Sequence, residues 1–314
     1  MSPRPFADAP PPVALQRALV LISHGGAARV RLADGAEVLA RASGRDLQFV
    51  CGDEVLCEYD APHDQWQVRQ VAPRRTALHR TNARGAGELI AANLSGLLIV
   101  LAPQPAPDWF LIDRYLAAAR SAGLATLLLA NKSDLPFDPG MQGELAAYAA
   151  AGCELLPCSA HGGLGMEALR TRLRAECVML VGQSGVGKTS LLRALVPGSD
   201  ALVGALLRSD EGRHTTSVVC RYELPGGGAL IDSPGVRDFA PALEHLERRT
   251  LGFVEIERLS GQCRFADCAH LREPGCAVLA AVASGAMSAR RYESYRRLHR
   301  LHEQLRARAP RRQR

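Results

Sequence analysis

Residues 182–189 read GQSGVGKT, between an apolar run at 177–182 (CVMLVG) and a helical pattern at 189–195 (TSLLRAL). Gly, four residues, then Gly-Lys-Thr at a strand-to-helix junction is a phosphate-binding loop. The glycines let successive backbone N–H groups turn inward around an anion at the positive end of a helix. Lys188 is expected to reach the terminal phosphates and the Thr189 hydroxyl to bind Mg²⁺, with Gly182, Gln183, Ser184, Gly185, Val186, Gly187 and Ser190 completing the cradle. Such a loop works only at the carboxyl end of a strand in a parallel sheet, so the surrounding chain must supply one.

It does. Short continuous apolar runs begin at Leu97, Thr126, Glu154, Cys177 and Gly228, with helical patterns between several of them, such as 109–121. This is the pattern of a parallel sheet covered on both faces. Three further motifs follow these runs. Asn131-Lys132-Ser133-Asp134 offers a carboxylate to the two adjacent donors of guanine, a pair that adenine lacks, and the Lys132 stem can lie across the base. Ser159 and Ala160 supply a backbone N–H for the guanine carbonyl. Asp232-Ser-Pro-Gly235 places a carboxylate for Mg²⁺ and a backbone N–H for the γ-phosphate. The motifs point to GTP and GDP as ligands. Their order is unusual: the base-reading pair precedes the phosphate loop and Asp232 closes the domain, so the order is circularly permuted.

Ahead of this lie five short β-rich runs between residues 18 and 71, separated by turn signals that include Asp34-Gly35. They suit a small closed barrel, an OB-fold or an SH3-like one, with the OB topology preferred. Residues 72–87 carry four Arg (Arg74, Arg75, Arg80, Arg84) without periodicity and read as a basic linker. Residues 1–13 are Pro-rich and expected to be disordered.

After residue 240 a helix is expected over 242–250, then a cluster of Cys263, Cys268, His270 and Cys276, then a long Arg-rich helix from about Ser288. Three thiolates and an imidazole are a tetrahedral Zn²⁺ set with no open position, hence structural. From Ser288 onward there are ten Arg and two Glu, a local +8 within a chain of net charge +6. Such a tail is either a solvated helix or a contact for a polyanion. Cys153, Cys158, Cys177 and Cys220 read as small core hydrophobes. Only two of the 38 basic residues are lysine, Lys132 and Lys188, both inside nucleotide motifs. With 314 residues, two or three domains are expected. No apolar run is long enough to span a bilayer and the N-terminus has no signal-like segment, so the reading is a cytoplasmic protein without a membrane partner.

Taken together, NKSD, CSA, GQSGVGKTSL, GRHTT, DSPGVRDF and CRFADCAHLREPGC occur in the order of the ribosome small-subunit-dependent GTPase A family (RsgA, also called YjeQ), which this chain resembles over nearly its whole length. The resemblance implies a multidomain fold: a disordered 1–13, an N-terminal OB-fold β-barrel (14–75), a circularly permuted α/β P-loop GTPase (76–240) and a C-terminal α-helical zinc-binding domain (241–314). It implies a monomer that binds the 30S ribosomal subunit and its 16S rRNA late in maturation and leaves on GTP hydrolysis. By position, residues 212–216 are switch I, whose Thr215 or Thr216 completes the Mg²⁺ shell. Val236 stands where Ras-like enzymes keep a water-orienting Gln, and His214 is the candidate replacement. Leu94-Ser-Gly departs from the Val-Asp expected after Asn93. The competing reading is a GTP-sensing, RNA-binding scaffold with negligible turnover. A P-loop kinase fits less well, because NKSD and DSPG together suit a switch GTPase.

Overall fold

A computed structural model describes residues 15–24, 26–81, 87–199, 218–233 and 246–308. The first five strands, β1 (Gln16–His24), β2 (Ala27–Leu32), β3 (Glu37–Ala42), β4 (Glu54–Asp60) and β5 (Gln65–Val71), close into a barrel in the order β1-β2-β3-β5-β4-β1. Here β3 and β5 run parallel and β1 closes on β4, which is the OB topology rather than the SH3-like one. Alternate residues fill the interior: Val20, Val30, Ala40, Cys57 and Val68 are fully buried.

A hairpin of β6 (Ala77–Thr81) and β7 (Gly87–Ala92) follows. Much of the expected basic linker is therefore strand. Its arginines are also engaged within the chain: Arg74 makes a two-pronged contact with the buried Asp53 (2.7 and 2.8 Å), Arg75 faces Glu54 and Arg80 bonds Glu88. Arg84 lies outside the described residues.

The central sheet has the order β10-β9-β8-β11-β13-β12, formed by β8 (Gly96–Leu101), β9 (Ala125–Ala130), β10 (Glu154–Pro157), β11 (Cys177–Val181), β12 (Val219–Glu223) and β13 (Ala229–Asp232). All but β12 are parallel. Every residue of β8 is buried because helices cover both faces. Leu97, Ile99 and Leu101 meet α1 (Trp109–Ser121) and α2 (Pro139–Ala150), while Leu98 and Val100 meet α3 (Met166–Leu173) and α4 (Lys188–Leu195). The sheet does not stop at β12. The far half of β1 pairs with it (Ile22 with Cys220, Ser23 with Val219), so among the described residues barrel and central sheet form one eleven-stranded ladder.

The C-terminal module packs α5 (Val254–Ser260), α6 (Ala277–Ala283) and α7 (Ala289–Arg308) around Phe253, Ile256, Val278, Tyr295 and Leu298. Ser288 caps α7, its hydroxyl accepting the Arg291 N–H at 3.3 Å. The helix expected over 242–250 is not a helix in its described part: residues 248–252 form turns ending in left-handed Leu251 and Gly252, and 242–245 lie outside the described residues. The tail is also less free than its charge implies. Arg290 and Arg291 turn inward onto Asp113, Glu144 and Glu255, and Arg297 lies over the Phe110 ring at 3.9 Å.

Candidate functional site

Because β9, β10, β11 and β13 are parallel, the loops after their last residues emerge on one edge. The loop after β11 is the segment expected to bind phosphates. Gly182, Gly185 and Gly187 all have positive φ, which an L side chain resists. At Gly182 a Cβ would lie 2.3 Å from the Val100 carbonyl oxygen, and at Gly187 it would lie 2.4 Å from Asn131 Nδ2. Val186 is fully buried and anchors the loop from below. The Lys188 ammonium donates to the Gly182 and Gln183 carbonyls (2.6 and 2.8 Å), which holds it across the loop. Thr189 and Ser190 are exposed in the first turn of α4.

The base-reading segment after β9 is stitched to that loop. Buried Asn131 donates from Nδ2 to the Val186 carbonyl at 2.8 Å, and its Oδ1 accepts the Ala160 N–H at 3.2 Å. Lys132, itself in a left-handed conformation, donates from Nζ to the Gly185 and Gln104 carbonyls. The Ser159 side chain beside it helps to hold the Asp134 carboxylate below the usual carboxylate range. Asp134 is otherwise exposed, which leaves its oxygens open to a ligand. Asp232, at the end of β13, is pushed up by burial; the Ser233 backbone N–H and the Lys188 ammonium pull the other way. A half-buried carboxylate beside the phosphate loop is a place a cation would stabilise. His214, Thr215, Thr216 and Gly235 lie outside the described residues.

Some members of this arrangement carry weak sequence signals. Cys158, read as a core hydrophobe, has its sulfur 3.6 Å from Asn131 Oδ1, a weak donor to the same amide. Its buried thiol is pushed up to about 12. Residues 104–108, a Pro-rich stretch, lie along the phosphate loop: the Gln183 side chain bonds Ala106 and Asp108, and a Cβ on Gly185 would lie 3.2 Å from Pro105 Cδ. Only their proximity to a P-loop in three dimensions identifies them.

The second cluster is brought together as expected. The ligand atoms of Cys263, Cys268, His270 and Cys276 all lie within 4.8 Å of one another. His270 Nδ1 is 3.5 Å from both Cys263 Sγ and Cys276 Sγ, and the two sulfurs are 4.0 Å apart. Bond lengths of about 2.0–2.3 Å around a tetrahedral ion give edges of roughly 3.3–3.8 Å, so the cage needs little adjustment to close on a metal. Glu273 holds the loop in shape. Its carboxylate accepts backbone N–H groups from Ala269, Leu271 and Arg272 (3.0, 2.9 and 3.0 Å). Burial opposes its charge, but these donors outweigh burial and bring its pKa down to about 2. From α7, Tyr292 and Tyr295 donate to the His270 and Ala269 carbonyls, each at 2.8 Å.

Residues 71–241 match the family model described as RsgA GTPase, a stretch that holds both nucleotide loops. The chain belongs to the RsgA GTPase family. Relatives called small ribosomal subunit biogenesis GTPase RsgA include that of Ectopseudomonas mendocina, 46% identical over 80% of this chain and 74% of the relative. That of Azotobacter vinelandii is 42% identical over 90% and 84%. Among solved structures, YjeQ from Thermotoga maritima superposes with a TM-score of 0.71 at 26% identity, covering 92% of this chain and 99% of that one. YloQ, a circularly permuted GTPase, superposes at 0.67 with 22% identity over 97% and 100%, a likeness of fold alone. The permuted RsgA order is legible in the ladder itself, where β10 and β9 form one edge, next to β8, and precede β11 in sequence.

Proposed function

We propose that this RsgA-family GTPase hydrolyses GTP while bound to the small (30S) ribosomal subunit late in its assembly, and is released by hydrolysis. The observation that carries the nucleotide half is the Asn131 amide, which joins the base-reading loop to the phosphate loop through Val186 and to residue 160 through its carbonyl oxygen. Asp134 then reads guanine, with Ser159 and Ala160 at its carbonyl. The backbone of 182–188 cradles the phosphates, and Lys188 exchanges its loop carbonyls for phosphate oxygens. Thr189, Asp232 and one of Thr215 and Thr216 would hold Mg²⁺, which supplies neutralisation of the phosphate charge when bound. Gly235 would sense the γ-phosphate, and His214 is the candidate for orienting water. Cys263, Cys268, His270 and Cys276 would hold one structural Zn²⁺, with all four positions taken by protein.

The division into 14–75, 76–240 and 241–314 assigns the barrel and the zinc module to rRNA. Relatives of this chain carry the name small ribosomal subunit biogenesis GTPase, which supports that partner. With Arg74, Arg80, Arg290 and Arg291 engaged internally, the RNA-facing charge falls to exposed arginines such as Arg41 and Arg45 on the barrel, Arg75 just after it, and Arg264 and Arg272 on the zinc loop. Neutralising several phosphates makes such binding steeply salt-dependent.

The test is GTP turnover with and without 30S subunits. Stimulation of about tenfold or more at low salt, erased as salt rises, is expected for a switch GTPase that lacks its own water-orienting Gln. Turnover that stays negligible with subunits bound would favour the GTP-sensing scaffold instead.

A further inference from the structure

We infer that Gln183 is a positioning residue: its side chain ties the phosphate loop to the N-terminus of α1, and through α1 it makes that loop's readiness for phosphates depend on the docking of the C-terminal module. The inference rests on the guanine-nucleotide reading above.

Gln183 sits at the second position of the phosphate loop, where the backbone faces the ligand. Its side chain faces the other way. Oε1 accepts the Asp108 N–H at 2.6 Å and Nε2 donates to the Ala106 carbonyl at 2.9 Å, so both ends of the amide are used on one short strap. Asp108 is also the N-cap of α1, its carboxylate accepting the Leu111 N–H at 3.0 Å. The strap is tied a second time: Lys132 Nζ bridges the Gln104 and Gly185 carbonyls at 2.7 and 2.8 Å. The phosphate loop and the start of α1 are thereby one hydrogen-bonded unit.

The other end of that unit is held just as firmly. Asp113, one turn into α1 and buried, takes Arg290 Nη1 at 2.6 Å, Arg291 Nη1 at 2.7 Å and the Tyr148 hydroxyl at 2.7 Å. Arg291 continues to Glu255 on α5. Further along, the backbone of Gly252 lies so close to α1 that a Cβ there would be 2.7 Å from the Ala117 Cα, and Arg120 reaches Glu257 at 2.9 Å. Tyr292, next to the paired arginines, and Tyr295, one helical turn beyond Arg291, hold the carbonyls of the zinc loop. A helix is stiff along its axis, so α1 transmits a displacement of residue 108 to residue 113 rather than absorbing it. Packed, ion-paired contacts of this kind switch between discrete arrangements rather than deform smoothly. Coupling between nucleotide and module must then be reciprocal.

The experiment is amide hydrogen exchange on the full chain with zinc, without and with saturating GDP, comparing wild type with Gln183→Ala. The nucleotide is raised for the variant until its phosphate-loop peptides (182–188) are fully protected. In wild type, GDP should slow exchange in 263–276 and 289–298 about fivefold or more, the lower end of ordinary allosteric coupling, relative to barrel amides at 28–40. In Gln183→Ala the phosphate loop should remain protected while the C-terminal segments lose that slowing. A double-mutant cycle supplies the reverse direction: Asp113→Asn should weaken GDP binding in wild type and have no further effect in Gln183→Ala. Equal C-terminal protection in both proteins, or additive effects in the cycle, would overturn the inference. GDP that binds wild type yet leaves 263–276 and 289–298 unchanged overturns it alone. A wild-type chain that binds no guanine nucleotide overturns the functional reading as well.

Discussion

Asn131 Nδ2 lies 2.8 Å from the Val186 carbonyl, so a residue of the base-reading loop also fixes the shape of the phosphate loop 55 positions away in sequence. In a chain whose motif order is permuted, this hydrogen bond rejoins what the sequence separates. Asn131→Ala leaves a buried carbonyl without its donor, a loss of about 1–3 kcal/mol. GTP and GDP affinity should fall together by about tenfold, read with fluorescent nucleotide analogues. Loss confined to GTP would mean that the amide acts on the γ-phosphate instead.

In the proposed site Asp134 would read the base by charge. In Asp134→Asn the amide presents a donor where guanine needs an acceptor, so GTP binding should weaken by about ten- to a hundredfold while xanthosine triphosphate gains. Competition titrations with GTP, XTP and ATP check this, and comparable ATP and GTP affinities in the unchanged protein would sink it.

Arg291 is 4% exposed and shared between Asp113 and Glu255. Removing one member of a buried ionic cluster strands the others, so Arg291→Ala should cost about 3–5 kcal/mol. Urea unfolding followed by tryptophan fluorescence measures it. A change below about 1 kcal/mol would place the cluster among contacts of little energetic weight.

Glu273 shapes the metal loop through its charge. Its folded pKa, about 2, lies below the ~4.3 of a free Glu, so its stabilisation is complete above the free value and is lost only as pH falls toward 2. Glu273→Gln should therefore melt lower than wild type by a constant margin from pH 5 to 8, in protein holding one zinc per chain by metal analysis. A margin that changes through pH 6–7 would implicate His270, and zinc-free protein would refute the metal assignment.

The sheet, the barrel topology and both ligand clusters were readable from the sequence because each rests on local chemistry. Apolar runs mark β8 to β11, Asp34-Gly35 marks a hairpin, and a glycine pattern marks a loop with positive φ. What escaped was set by distant partners. Arg74, Arg290 and Arg291 look available in the sequence because nothing near them announces Asp53, Asp113 or Glu255, the acids that engage them. The hairpin β6–β7 escaped because β6, ALHRT, is short and polar, and its strand character comes from pairing with β7. The motifs locate Cys158 and Gln183 in their loops, but their side-chain contacts depend on Asn131 and on residues 106–108, which meet them only in the fold.

Lys132 and Lys188 both rest their ammonium groups on carbonyls of the phosphate loop, and they are the only lysines in the chain. Every side-chain primary amine of the molecule therefore sits at a single crevice. Acylating reagents, which on an ordinary protein label the surface at large, would here mark that crevice and the chain's own α-amine. A lysine-specific protease would find two cleavage points, one in each loop. With arginine carrying the rest of the positive charge, amine chemistry becomes an occupancy gauge for the nucleotide, readable by mass without introducing a probe.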